Sequence, residues 1–173
     1  KHDLHYGVPH PGQYLLDTQG AVRAKYFGVR YHGRATPRTI LVREFDWTPE
    51  NMQQQDTPDL TVRYGFSDQR IRPDNHVTLV LDISLKPNVH LFPPDMSNVQ
   101  ALTWTLENSG LWDAESAEYP ATTATITIDG TQQPAYAESI RILQKIHIKQ
   151  ENVLAGTLGG LSESTIMRLS GAL

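Results

Sequence analysis

The chain has 173 residues and a mass of 19.4 kDa, enough for one large domain or a small domain joined to part of another. Hydrophobic residues make up 39% and charged residues 20%, a globular rather than a disordered balance. Fifteen basic and nineteen acidic side chains leave a formal net charge of -4, which argues against a nucleic-acid binder that neutralises phosphates. No apolar run approaches the roughly 18–20 residues that cross a bilayer. With no cysteine, disulfides, thiolate-bound metals and cysteine nucleophiles are excluded within these residues.

The chain begins at Lys1 with no charged-then-apolar leader and ends at Ser170-Gly171-Ala172-Leu173. Both ends read as cut, so the expectation is a piece of a longer protein. Gln13-Tyr14-Leu15-Leu16 reads as a short strand, and Asp17-Thr18-Gln19-Gly20 supplies a tight connection. Ala21 to Phe27 returns as the second strand of a hairpin. Thr36-Pro37 offers an N-cap hydroxyl followed by proline at the first helical position. Ile40, Leu41, Glu44 and Phe45 are placed to pack one side of the short helix that follows. Residues 46–58 carry two prolines and a glutamine run without apolar period, and read as a linker.

From Leu60 onward the period becomes two. Leu60, Val62 and Tyr64 alternate with polar residues, and Arg72-Pro73-Asp74-Asn75 marks a turn. Val77, Leu79, Leu81, Ile83 and Leu85 form the cleanest alternation, closed by Lys86-Pro87-Asn88. Leu102, Trp104 and Leu106 repeat the pattern, as do Ala124, Ile126 and Ile128 before Asp129-Gly130. Ile140, Ile142, Ile146 and Ile148 share one face of a long strand that Gln144 interrupts, and residues 165–173 suit a last strand. Strands with one buried and one wet face predict an antiparallel sandwich.

The residues by themselves offer weak chemistry. His2, His5 and His10 could supply metal ligands, yet no helical pair of the zinc-protease type exists, and solvated histidines near an end are the better reading. Gly156-Thr157-Leu158-Gly159-Gly160 lacks the lysine and the strand-to-helix setting of a phosphate loop. Asp113, Glu115 and Glu118 could form an acid/base pair or an ordinary acidic loop. Trp47, Trp104 and Trp112 could line a sugar site, although Trp104 at an alternating position suits a core.

Two motif sets point further. Tyr6-Gly7-Val8-Pro9-His10-Pro11-Gly12-Gln13-Tyr14-Leu15-Leu16-Asp17, with Gly20 and Val22, resembles the second half of thioredoxin-fold redoxins. The resemblance is to the alkyl hydroperoxide reductase/thiol-specific antioxidant, or peroxiredoxin-like, group and covers residues 1–45. It implies that Pro11, by its spacing to Asp17, matches the cis-proline beside the family's active-site cysteine. The family's cysteine motif would lie before Lys1.

The second set is Arg72-Pro73-Asp74-Asn75, Lys86-Pro87-Asn88-Val89-His90-Leu91-Phe92, Glu118-Tyr119-Pro120 and Gln133-Pro134-Ala135-Tyr136 before Ile140-Arg141-Ile142. It resembles the N-terminal immunoglobulin-like domain of the thiol:disulfide interchange protein DsbD and covers residues 59–173. That resemblance implies an electron relay toward extracytoplasmic thiol proteins, with a cysteine pair expected after Leu173. His90 and Phe92 then match aromatic positions beside the pair, and Glu118, Tyr119 and Pro120 match the loop that caps it. Glu118 stands where the family places an aromatic. A cap protects a reactive thiolate in an oxidising compartment until a partner docks.

The combined expectation is a mainly β chain in which the C-terminal hairpin and helix of a thioredoxin fold precede an immunoglobulin-like antiparallel β-sandwich. Its parent is expected to be a thiol–disulfide or peroxide-reducing protein of the bacterial periplasm or another part of the cell envelope. Thiol/disulfide redox proteins are its implied partners, with no nucleic acid, no cofactor and no catalyst among these residues. Tethering two redox modules raises their effective concentration for one another. The competing expectation is an immunoglobulin-like binding or adhesion module without catalytic activity.

Overall fold

The computed structural model describes residues 12–27, 34–97, 99–106, 110–149 and 168–170. Strands β1 (Gly12–Leu16) and β2 (Val22–Phe27) form an antiparallel hairpin. Asp17 makes its turn: the carboxylate accepts the N–H groups of Gln19 and Ala21, each at 2.9 Å. Gly20 has φ 81°, a conformation in which a Cβ would be strained.

Helix α1 (Pro37–Phe45) starts as the Thr36-Pro37 pair predicts. The Thr36 Oγ1 accepts the Thr39 N–H at 3.0 Å, and Pro37 occupies the first turn. The expected packing face is different, however. Thr39 and Val42 are buried, whereas Leu41 and Phe45 are 40% and 55% exposed. Polar anchors set the helix rotation: the Thr39 hydroxyl lies 2.9 Å from that of Ser67 and donates to the His76 carbonyl. Those bonds turn position 39, and with it position 42, toward the sheet.

The main sheet contains β3 (Gln53–Asp56), β4 (Leu60–Phe66), β5 (His76–Leu85), β7 (Trp112–Ala114) and β10 (Ile140–Ile148), in the order β3-β4-β5-β10-β7 and antiparallel throughout. Two antiparallel pairs complete the described strands: β6 (Thr103–Thr105) with β11 (Arg168–Ser170), and β8 (Ala124–Ile128) with β9 (Thr131–Ala135). Asp129 and Gly130 link the latter with φ 49° and 79°, the left-handed pair that a two-residue hairpin requires. The protein is mainly β, with antiparallel sheets and one short helix among the described residues.

The linker expected over residues 46–58 is partly a strand. Gln53–Asp56 pairs with β4 across a turn in which Thr57 N–H donates to the Leu60 carbonyl at 2.8 Å. All four residues are exposed. An edge strand needs backbone pairing but no apolar face, so periodicity could not reveal it.

The core lies on one face of the sheet. Val62, Val77, Leu79, Leu81, Ile83, Ile140, Ile142, Ile146 and Ile148 are buried there with Leu91, Leu102, Trp104, Trp112 and Tyr136. All but Leu91, Trp112 and Tyr136 are residues that the period-two reading places inward. The second face of β5 is not wet as expected: Thr78 and Val80 are fully buried because α1 packs over them.

Candidate functional site

Backbone and side-chain contacts gather three of the six residues expected around a redox centre. Leu91 and Tyr136 exchange backbone hydrogen bonds at 3.1 and 2.8 Å. The next residue, Phe92, accepts the Leu102 N–H at its carbonyl at 2.8 Å. Trp104 N–H donates to the Tyr119 hydroxyl at 3.0 Å, and the Tyr136 hydroxyl donates to the Pro120 carbonyl at 2.9 Å. Phe92, Tyr119 and Pro120 therefore belong to one network, with the buried Tyr136 as its hub. Burial raises the Tyr136 phenol above its ordinary pKa, with smaller contributions from Tyr119 and Asp95, so it stays a neutral donor.

Glu118 is directed elsewhere. Its backbone pairs with Leu143, and its carboxylate accepts two contacts from Arg43 Nη2 on α1, at 2.8 and 2.9 Å. It fastens the helix to the sheet. His90 is half-buried, two residues before Phe92. Pro11, His2, His5, His10 and residues 156–160 lie outside the described residues.

The acidic trio does not converge. Asp113 pairs with Lys149 at 2.7 Å, Glu115 with Lys145 at 2.7 Å, and Glu118 with Arg43. Each carboxylate has its own cation, the arrangement of a solvated ionic surface rather than an acid/base couple. Among the described residues no group of three His, Cys, Asp or Glu is placed to hold a metal.

Two features escaped the sequence, and a third gathers residues that it singled out. Arg141 reaches across its rung to Asp82 with Nε and Nη2 at 2.7 and 2.9 Å, and also binds the Asp46 carboxylate and the Thr48 hydroxyl. His76 and His147 face each other in register, their rings stacked at 4.7 Å, and His147 Nε2 lies 3.0 Å from Asp74 Oδ1. Burial, then the neighbouring His147 and Lys145, lowers the His76 pKa below its ordinary 6.5. Both pairs depend on strand register, which a single sequence does not display.

The third feature is a cleft of about 700 Å³ beside β3 and β4. Trp47, Tyr64, Phe66, Trp104 and Trp112 line it, with Asn51, Gln53, Gln54 and Gln55. The three tryptophans singled out in the sequence thus reach one cavity. Trp104 is at the same time core: it is 7% exposed, and its Nε1 donates to Gln144 Oε1 at 2.7 Å.

No family model matches the chain, and no curated protein or solved structure matches it.

Proposed function

We propose that this chain is part of a thiol–disulfide redox protein of the bacterial cell envelope. In this reading residues 1–45 are the C-terminal part of a peroxiredoxin-like thioredoxin fold. Residues 59–173 form a DsbD-type immunoglobulin-like sandwich. The 173 residues contain no cysteine, so the reacting thiols belong to the parent chain outside them.

The observation that carries the reading is the network joining Phe92, Tyr119 and Pro120 through Trp104 and Tyr136. These are the positions that the resemblance assigns to the surroundings and cap of a cysteine pair. Strand β11 pairs Ser170 with Thr103, next to Leu102, whose N–H binds the Phe92 carbonyl. In this reading the parent's cysteine pair would act beside that network. There a thiolate would attack a partner's disulfide to form a mixed disulfide. The second thiolate would then attack the first sulfur and displace the partner's sulfur as a thiolate, leaving the partner reduced and the pair oxidised.

The test uses the full-length parent. Its thiols are counted by alkylation, and exchange with a disulfide-bonded protein substrate is followed under stoichiometric conditions. The reading expects a redox-active cysteine pair, and faster alkylation of that pair in Phe92→Ala and Tyr119→Ala. A parent without cysteines, or one whose thiols neither exchange disulfides nor reduce peroxide, overturns it.

A further inference from the structure

We propose that the cleft between Trp47 and the β3–β4 edge binds a neutral saccharide. A volume of about 700 Å³ lies within the roughly 300–1,000 Å³ of ligand sites. The lining combines the partly exposed rings of Trp47, Tyr64 and Phe66 with the amides of Asn51 and of Gln53 and Gln55, which share one face of β3. Pyranose rings present apolar C–H faces and a perimeter of hydroxyls, each a donor and an acceptor. Aromatic faces suit the first, and Asn or Gln amides, which also donate and accept, suit the second.

The walls are fixed before any ligand arrives. Trp104 is held through its indole N–H by Gln144. The segment bearing Trp47 is held by Arg141, which binds Asp46 and Thr48 on either side of it. Gln53 accepts the Tyr64 hydroxyl at 2.5 Å. A preorganised site loses less freedom when a ligand binds.

Charge narrows the class. Arg38 is the cation of the lining, against the carboxylates of Glu50 and Asp68. Asp68 accepts the hydroxyls of Thr36 and Ser67 at 2.6 and 2.7 Å. That balance disfavours a phosphorylated or carboxylated ligand. A purely apolar ligand would strip water from the lining amides without replacing their hydrogen bonds. A polyhydroxylated neutral ligand meets neither objection.

The experiment titrates the whole chain with neutral cello-, xylo-, malto- and chito-oligosaccharides, read by tryptophan fluorescence and calorimetry. Saturable binding of at least one series is expected, weakened about tenfold or more in Trp47→Ala and several-fold in Gln55→Ala, where tenfold corresponds to about 1.4 kcal/mol. Gln55 is an exposed edge residue, so an unchanged circular dichroism spectrum for its variant separates lost binding from lost fold. No saturable binding to any series overturns the proposal. So does binding that both variants leave intact, or a cleft that takes an unstructured apolar peptide but no sugar. Sugar binding requires no thiol, so this result and the thiol test above stand or fall separately.

Discussion

The indole Nε1 of Trp104 donates to Gln144 Oε1 at 2.7 Å, while the Gln144 amide donates to the Glu115 carbonyl at 2.8 Å. The one polar residue among the inward positions of β10 thus joins β6 to the sheet and to the stretch after β7. Gln144 is 6% exposed. Gln144→Leu keeps most of the volume but leaves the indole N–H and a carbonyl without their partner. The expected loss is about 1–3 kcal/mol for the stranded donor, measured as a lower urea midpoint with an unchanged m value. A variant as stable as the parent would remove Gln144 from any structural role.

Arg141 is the second joint. Its side chain is 20% exposed and satisfies Asp82 in a two-pronged contact while gripping Asp46 and Thr48. Lysine cannot reproduce that fork. Arg141→Lys should lower stability by about 1.5–3 kcal/mol, the range for hydrogen bonds to charged groups. Limited proteolysis should show faster cutting between residues 46 and 58. Unchanged proteolysis would mean that other contacts hold the segment.

The His76–His147 pair sets an acid-side dependence. The folded His76 pKa lies below the ordinary 6.5 through burial and the nearby His147 and Lys145, partly offset by Glu115 and Asp74. As pH falls below 6.5, the unfolded chain takes up that proton first, so this contribution to stability falls with it. Above 6.5 both states are neutral at His76 and the contribution is flat. Urea midpoints measured from neutral pH downward should decline less steeply in His76→Phe than in the parent. Equal slopes would refute the assignment.

Tyr26 supplies the alkaline counterpart. Its hydroxyl donates to Glu44 at 2.5 Å, and burial together with that carboxylate pushes its pKa up to about 12. The stabilisation is complete below the ordinary value of 10 and is lost as pH rises toward 12. Ultraviolet titration of the phenols should show a late ionisation that disappears in Tyr26→Phe. In Glu44→Gln it should move down, because the negative charge opposing phenolate formation is gone.

Local signals carried far in this protein. The hydroxyl-then-proline pair located the start of α1, Asp17 to Gly20 and Asp129-Gly130 located two hairpin turns, and alternation identified the inward faces of β4, β5 and β10. Each is a property of a few consecutive residues, written in backbone preference or in period two. What required the folded chain was everything depending on two distant segments meeting. Register set Arg141 opposite Asp82 and His76 opposite His147. Docking by the Thr39 hydroxyl decided which side of α1 is buried, against the apolar side that periodicity favours. Pairing with β4 made a strand of Gln53–Asp56, where no apolar period marks one. Composition and periodicity thus determined that this chain builds an antiparallel β protein with an apolar inner face. Only the tertiary structure brought Trp47, Trp104 and Trp112 to one cleft and tied Tyr119 and Pro120 to Trp104 and Tyr136. Such contacts are set by how sheet, helix and loops stack, and that arrangement is a property of the whole chain.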